Sequence, residues 1–397
     1  MTNDQPQRGK IMRKIVISTV GTSLLTQQIQ RGEEREKTWY NSLRDTANLS
    51  QKEIEAKHPN VTKIIGELQA RAMSKLDPKN IKAIRLASAE LNGIYGLYQE
   101  NLKTGVTNGD MHWLIATDTG QGIATANIVK DFLLSQGMAA DIYTPPQLST
   151  ASTEKFSSGI DNLIAWLDSI IAPERDNPNT KICFNLVGGF KSLQGYLNTI
   201  GMFYADEIIY IFEGQNSDLI TIPRLPITID YAALAPHKVQ LALMYAGALI
   251  SSDRIAGIPE TMVDTPGESQ FGLSTWGNLV WQQCKKEMLS QELLAFPRLE
   301  YRPSFQADYQ AIRDKNERLK LQETLAKVSR LLEESDGNTQ ALNSVDSINY
   351  TRYQGSNGID HFRVTLSQRV SCEAVGGKLI LRYYGTHAHV EGSEKLR

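Results

Sequence analysis

Cysteine is scarce in this chain: Cys183, Cys284 and Cys372 are the only three in 397 residues. They lie far apart, show no C-x-x-C spacing and are odd in number, so neither a disulfide framework nor a zinc site is expected. No apolar run approaches the roughly 20 residues that cross a bilayer. Met1 to Lys14 lacks the apolar stretch of a secretory signal, so a cytoplasmic location with no membrane partner is expected. An excess of either charge is also missing. The formal net charge is -2, so any basic surface for a nucleic acid must be local. No G-x-G-x-x-G follows the first strand candidate, which argues against a nicotinamide or flavin. No metal centre and no cofactor are expected.

What is present is the composition of a globular chain, 41% hydrophobic and 22% charged. At about 100–200 residues per domain, two or three domains are expected. Lys14-Ile-Val-Ile-Ser-Thr-Val20 reads as a buried strand. After a charged, helical span from Glu33 to Leu102 come Trp113–Thr117, Ile182–Val187 and Glu207–Phe212, with helices through Leu134 and to Tyr204. This alternation predicts an α/β domain with a Rossmann-like parallel sheet. Three strands end in small, glycine-bearing turns. In such sheets ligands sit beyond the carboxyl ends of the strands, and helix N-termini favour anions. The turns Gly21, Thr22, Ser23, Leu24, then Asp118, Thr119, Gly120, Gln121, then Gly188, Gly189 and Lys191 therefore form a candidate site for a phosphate-bearing ligand. Ser23 is placed to donate a hydroxyl hydrogen bond, and Lys191 to balance phosphate charge.

These turns resemble those of the CRISPR-associated Rossmann-fold sensor domain, CARF. The resemblance rests on Val-Gly-Thr-Ser-Leu-Leu, the Asp118-Thr-Gly-Gln turn and Asn185-Leu-Val-Gly-Gly-Phe-Lys191. It covers about residues 13–228, to a closing strand Tyr210-Ile-Phe-Glu213. It implies a homodimer that binds a cyclic oligoadenylate, usually cyclic tetra-adenylate, across its two-fold axis, with Asn185 joining the binding residues. Some members slowly cut their ligand with a serine and a lysine at the positions of Ser23 and Lys191.

Residues 229–295 read as a mainly helical connector broken at Pro259, Pro266 and Gly267. A second helix spans about Leu273–Leu294. The layout resembles a winged-helix-type connector, for which dimerisation is preferred to DNA binding, because Lys285 and Lys286 are offset by Glu287 and Glu292.

The last segment, 296–397, reads as a small α+β unit. A strand Phe296–Tyr301 precedes helices over Phe305–Glu334, stopped by Asp336-Gly337-Asn338. A three-stranded meander follows: His361–Leu366, Arg369–Val375 and Lys378–Tyr384, with Gly376-Gly377 as a hairpin turn. Alternation puts Arg363 and Thr365 on one face, and Phe362, Val364 and Leu366 on the other. Metal-independent RNA cleavage needs a base for the 2′-hydroxyl, cations for the phosphorane and an acid for the 5′-oxygen. Arg363, Arg369, Arg382, His387 and His389 supply residue types suited to that work, and His361 lies among them.

Tyr353-Gln-Gly-Ser-Asn-Gly, His361-Phe-Arg-Val-Thr-Leu, Arg369-Val and Leu381-Arg-Tyr-Tyr-Gly-Thr-His387 resemble the RelE family of ribosome-dependent mRNA interferases. By position, Arg363 and Arg369 match basic residues of that family's sheet. His387 falls where arginine or histidine often stands. Thr365 departs from a second lysine found in some members. The tyrosine that others place near the C-terminus has no clear match, so either His389 substitutes as proton carrier or cleavage leans on charge stabilisation and on ribosomal groups. The two resemblances together imply a CRISPR-associated CARF–RelE fusion. In it, cyclic tetra-adenylate would act as allosteric activator of cleavage of mRNA on the ribosome. Three alternatives remain: a CARF nuclease of the helical HEPN type, in which Arg382 and His387 would lie on a helix, a ligand-responsive DNA-binding regulator, and an enzyme that only degrades its ligand, with Ser23 and Lys191 at work and an inert C-terminal domain.

Overall fold

The computed structural model describes residues 12–30, 32–212, 218–265, 269–354, 356 and 358–395. Glu213, Pro266, Gly267, Gly355 and Asn357, which the sequence reading used, lie outside them. The chain folds as two compact units, Met1–Ile227 and Thr228–Arg397. Among the described residues no helix is long and apolar enough to cross a membrane.

The first unit is built on β1 (Arg13–Thr19), β2 (Met111–Ile115), β3 (Ala139–Tyr143), β4 (Thr180–Asn185), β5 (Glu207–Ile211) and β6 (Leu219–Pro223). Their order is β3-β2-β1-β4-β5-β6. The neighbours from β3 to β5 pair in parallel, and β6 pairs antiparallel with β5. Val16 and Ile17 in central β1 are fully buried, as expected of a strand covered on both faces. Strands β3 and β6 were not read from sequence. Both lie at sheet edges and are only partly buried, and β6 ends in Pro223, so neither carries a continuous apolar run. The charged span after β1 is helical, and its helix Gln51–Lys57 starts with a capping box between Ser50 and Glu53. Strand order reverses between β1 and β4, the position where doubly wound sheets open a crevice. The architecture is compatible with a Rossmann-like domain.

The second unit begins with helical segments and includes a small antiparallel sheet, β7 (Ile250–Ser251), β8 (Val263–Asp264) and β9 (Gln270–Leu273), in the order β7-β9-β8. The reading of 229–295 as mainly helical missed these strands, which are two to four residues long. Next come β10 (Leu299–Tyr301), helices Pro303–Ala311 and Lys315–Glu334, then β11 (Thr351–Arg352), β12 (Asp360–Arg363), β13 (Gln368–Val375) and β14 (Lys378–Thr386), and a final helix His387–Ser393. The sheet order is β10-β14-β13-β12-β11. Only β10 and β14 pair in parallel. The expected three-stranded meander is thus the middle of a five-stranded sheet. Leu241, Trp281, Phe305, Leu325, Phe362 and Leu381 share one core, so the helices before residue 296 and the sheet after it bury their apolar surface together.

Two local details set the site. Gly376 and Gly377 take φ of 57° and 74°, the pair of left-handed residues that a tight hairpin requires. At the other end of β13, Val364 and Thr365 both donate to the Gln368 carbonyl, which closes a turn. Phe362 and Val364 are buried as expected, but Leu366 is 87% exposed on that turn. The period-two reading fails there because β12 ends at Arg363.

Candidate functional site

Beyond the carboxyl ends of the parallel strands lies a cavity of about 360 Å³, lined among others by Gly21, Thr22, Ser23, Thr119, Gly189 and Phe190. Thr26, Thr117 and Thr150 add hydroxyls. The turns picked out in the sequence do converge, but they divide into wall and support. Leu24 is fully buried in the core. Gln121 Nε2 is spent on the Leu43 carbonyl at 2.6 Å, and Asn185 Nδ2 on Ser18 Oγ and the Glu90 carbonyl, each at 3.0 Å. Asp118 is exposed, and its amide donates to Leu148. The Gly120 amide donates to Leu49. Lys191 is exposed at the first turn of helix Lys191–Tyr204, next to the lining residue Phe190.

Gly21 lines the cavity, but its amide faces away from a ligand role. Its N–H donates to Glu90 Oε1 at 2.8 Å, and Glu90 Oε2 accepts from Ser88 Oγ at 2.8 Å. Glu90 is fully buried, and desolvation holds its carboxyl above the usual carboxylate range despite those bonds. A Cβ added at Gly188 would run into this carboxylate. Glu90 therefore ties together the turns after β1 and β4. Sequence reasoning passed over it inside a span called simply helical. The available signal was a lone acid beside Leu91, Ile94 and Tyr95, on the face that becomes buried.

This geometry predicts that Gly188→Ala destabilises the N-terminal unit by about 1–3 kcal/mol through overpacking. Thermal denaturation of Gly188→Ala, Glu90→Ala and the double variant checks it. The double variant should be more stable than the sum of the single losses implies.

In the second unit, β12 and β13 place Arg363 directly opposite Arg369 and His361 opposite Ser371, all on the sheet face away from Phe362. Like charges facing each other across a ladder are unfavourable. Neither arginine has an ion pair among the described residues, and the Nε atoms of both are buried without a hydrogen-bond partner. His361 Nδ1 and Tyr353 Oη share that condition. The Tyr353 and His361 rings stack with centroids 4.0 Å apart, and His361 Nε2 lies 3.2 Å from Thr351 Oγ1. Burial first, then the positive charges of Arg369 and His387, push the His361 pKa down to about 4. Burial likewise pushes the Tyr353 hydroxyl up to about 12. Buried polar atoms are normally paired. Here four unpaired ones lie at neighbouring positions. Tyr353 was noticed only as part of a motif and His361 only as a nearby histidine.

The final helix divides the remaining residues. His387 Nδ1 lies 2.9 Å from Glu391 Oε2, and its charge acts on His361, so it belongs to the arginine face. His389 points elsewhere, with Nε2 3.1 Å from Asp308 Oδ1. Arg382 lies on strand β14 and is not free. Its Nε and Nη2 bond to the two oxygens of Glu394 at 2.7 and 2.8 Å, and Nη1 bonds to Glu373. These carboxylates raise its pKa. Of the five residues singled out for cleavage chemistry, the fold brings together Arg363, Arg369 and His387, and sets Arg382 and His389 apart.

The sequence comparison bears on the first unit. Residues 85–225, which include Glu90, strands β2 to β6 and the Gly188-Gly189 turn, match the family model described as CRISPR-associated protein (Cas_APE2256).

Proposed function

We propose that this chain is a CRISPR-associated effector whose N-terminal crevice senses a cyclic oligoadenylate and whose C-terminal unit is a RelE-like endoribonuclease acting on mRNA at the ribosome. The observation that carries the nuclease reading is the arginine face. Arg363 and Arg369 are held against each other without a counter-ion among the described residues, beside a histidine and a tyrosine with unpaired polar atoms. A phosphodiester would relieve this repulsion and accept from both guanidinium groups. The sensor reading rests on the hydroxyl-lined crevice at the switch point and on the family match over residues 85–225, which takes in its Thr117, Thr119, Thr150 and Gly189 side. Homodimerisation, a winged-helix role for the helices before residue 296, and slow ligand cutting by Ser23 and Lys191 are parts of the same proposal.

In the proposed chemistry, His361 takes the 2′-hydroxyl proton. The 2′-oxygen attacks phosphorus, the bond to the 5′-oxygen breaks, and His387 delivers a proton to that leaving oxygen. The arginines stabilise the charge that builds on the phosphorane. The products are a 2′,3′-cyclic phosphate and a 5′-hydroxyl. His387 is oriented through Nδ1 by Glu391. The HEPN-type layout fits less well, because Arg382 lies on a strand. The DNA-binding layout also fits less well, because Lys285 is largely buried and ion-paired with Glu323.

Toe-printing of an mRNA on translating ribosomes, with and without cyclic tetra-adenylate, tests the whole reading. Ligand-dependent cuts in the decoding site, absent on naked RNA, are expected. No cutting with any cyclic oligoadenylate would overturn it.

The acid limb of the rate is a separate expectation. A base must be neutral to accept a proton, and the free-enzyme value of His361 is about 4. The kcat/KM should therefore rise as pH increases through about 4, and His361→Gln should abolish that rise. A pH–rate profile of both proteins decides the matter.

A further inference from the structure

The second unit contains a cavity that the cleavage chemistry does not use. Its volume is about 370 Å³, within the range of small-ligand sites. Tyr245 and Trp281 from the helical part form one wall, and Lys320, Glu323 and Lys327 from helix Lys315–Glu334 form another. Lys285 also lines it, with Nζ 5.0 Å from the centre of the Tyr245 ring and 3.3 Å from the Glu323 carboxylate. That ion pair accounts for the only acid among the described lining residues. Lys320 has no ion pair among the described residues, and Lys327 bonds to the neutral Ser347 hydroxyl at 2.9 Å. Two cationic side chains seven residues apart on one helix thus remain uncompensated. Trp281 is fully buried, and its indole N–H has no acceptor among the described residues.

A surplus of ammonium groups, aromatic walls and an unanswered indole donor describe a ligand with an anionic end and a flat ring that carries acceptors. We propose that this cavity binds a nucleotide through its phosphate, with the phosphate at Lys320 and Lys327 and the base against Trp281 and Tyr245. The cavity also reaches Ile348 and Val364. The Ile348 carbonyl accepts from the Arg363 amide at 2.7 Å, so an occupant bears on the segment that positions Arg363. The nucleotide is either free in solution or one unit of an RNA chain, and both present the same chemistry.

The test is calorimetric titration of the full chain with adenosine 5′-monophosphate and with adenosine. Wild type is compared with Lys320→Ala/Lys327→Ala and with Trp281→Phe. The N-terminal crevice is intact in all three, so only differences between proteins are read, and failure of the sensor or nuclease reading leaves the result interpretable. The double variant is expected to bind the monophosphate at least tenfold more weakly. Trp281→Phe, which keeps the ring wall and removes the donor, should weaken it several-fold. Adenosine should bind wild type and the double lysine variant alike. An uncleavable 2′-O-methyl RNA tetramer then separates the sources: displacement of the monophosphate assigns the cavity to an RNA unit, and no displacement assigns it to free nucleotide. Equal monophosphate affinity in wild type and double variant would overturn the proposal.

Discussion

Arg369→Ala is expected to lower RNA cleavage by about 10²–10³-fold, the size of losses seen when one preorganised stabiliser of transition-state charge is removed. The same change should leave the folded state intact or stabilise it, by up to about 1 kcal/mol, because Arg363 no longer faces a like charge across the ladder. This combination separates a binding face from a merely structural one. A packing arginine loses stability when truncated, whereas a residue held in an unfavourable place for function does not. Arg369→Lys should recover only part of the rate, since an ammonium cannot reproduce the two-point contact of a guanidinium. The measurement pairs a single-turnover cleavage assay with thermal denaturation. Full activity in Arg369→Ala would remove the arginine face from the mechanism.

The opposite behaviour is expected of Arg382. Its guanidinium answers both oxygens of Glu394, whose side chain is 1% exposed, and also bonds to Glu373. Ser371 donates to the same Glu394 carboxylate at 2.7 Å, so this acid pins the end of the chain's last helix to β13 and β14. Arg382→Ala leaves a carboxylate buried without its cation. Breaking one side of a buried pair costs about 3–5 kcal/mol. For a unit of this size that corresponds to roughly a 10 °C fall in its thermal transition. Arg382→Met combined with Glu394→Leu should regain most of the loss, because both charges leave together. Reduced cleavage in Arg382→Ala without any change in stability would return Arg382 to the group that contacts RNA.

These two arginines show where sequence reading stops. On paper, Arg363, Arg369 and Arg382 are equivalent: basic residues on neighbouring strands, near histidines. What separates them is which carboxylates come within reach. Glu373 and Glu394 are nine and twelve residues from Arg382 in the chain, and neither lies opposite the Arg363–Arg369 pair. His387 and His389 are likewise two residues apart and serve different surfaces, because a helix turns successive side chains by about 100° each. The turns of the first unit repeat the lesson. Nothing in the Gly21 turn announces that its amide bonds to a glutamate 69 positions later.

Other features were legible without coordinates, because they depend on short-range rules. The buried central strands announce themselves as β-branched runs, the helices as periodic apolar positions, and the hairpin as two adjacent glycines that both need positive φ. The position of the crevice follows as well, since parallel strands with glycine turns open at their carboxyl ends. By itself, then, the sequence determined the parallel α/β layout of the first unit and the meander of the second. Only the tertiary structure decided the edge strands, the single core shared across residue 296, the seating of Glu90 and the division of the arginines into one ion-paired residue and two without an ion pair among the described residues. The physical reason is range. Propensity and periodicity act over a few residues, whereas burial and charge pairing are settled by groups that meet only after the chain has folded.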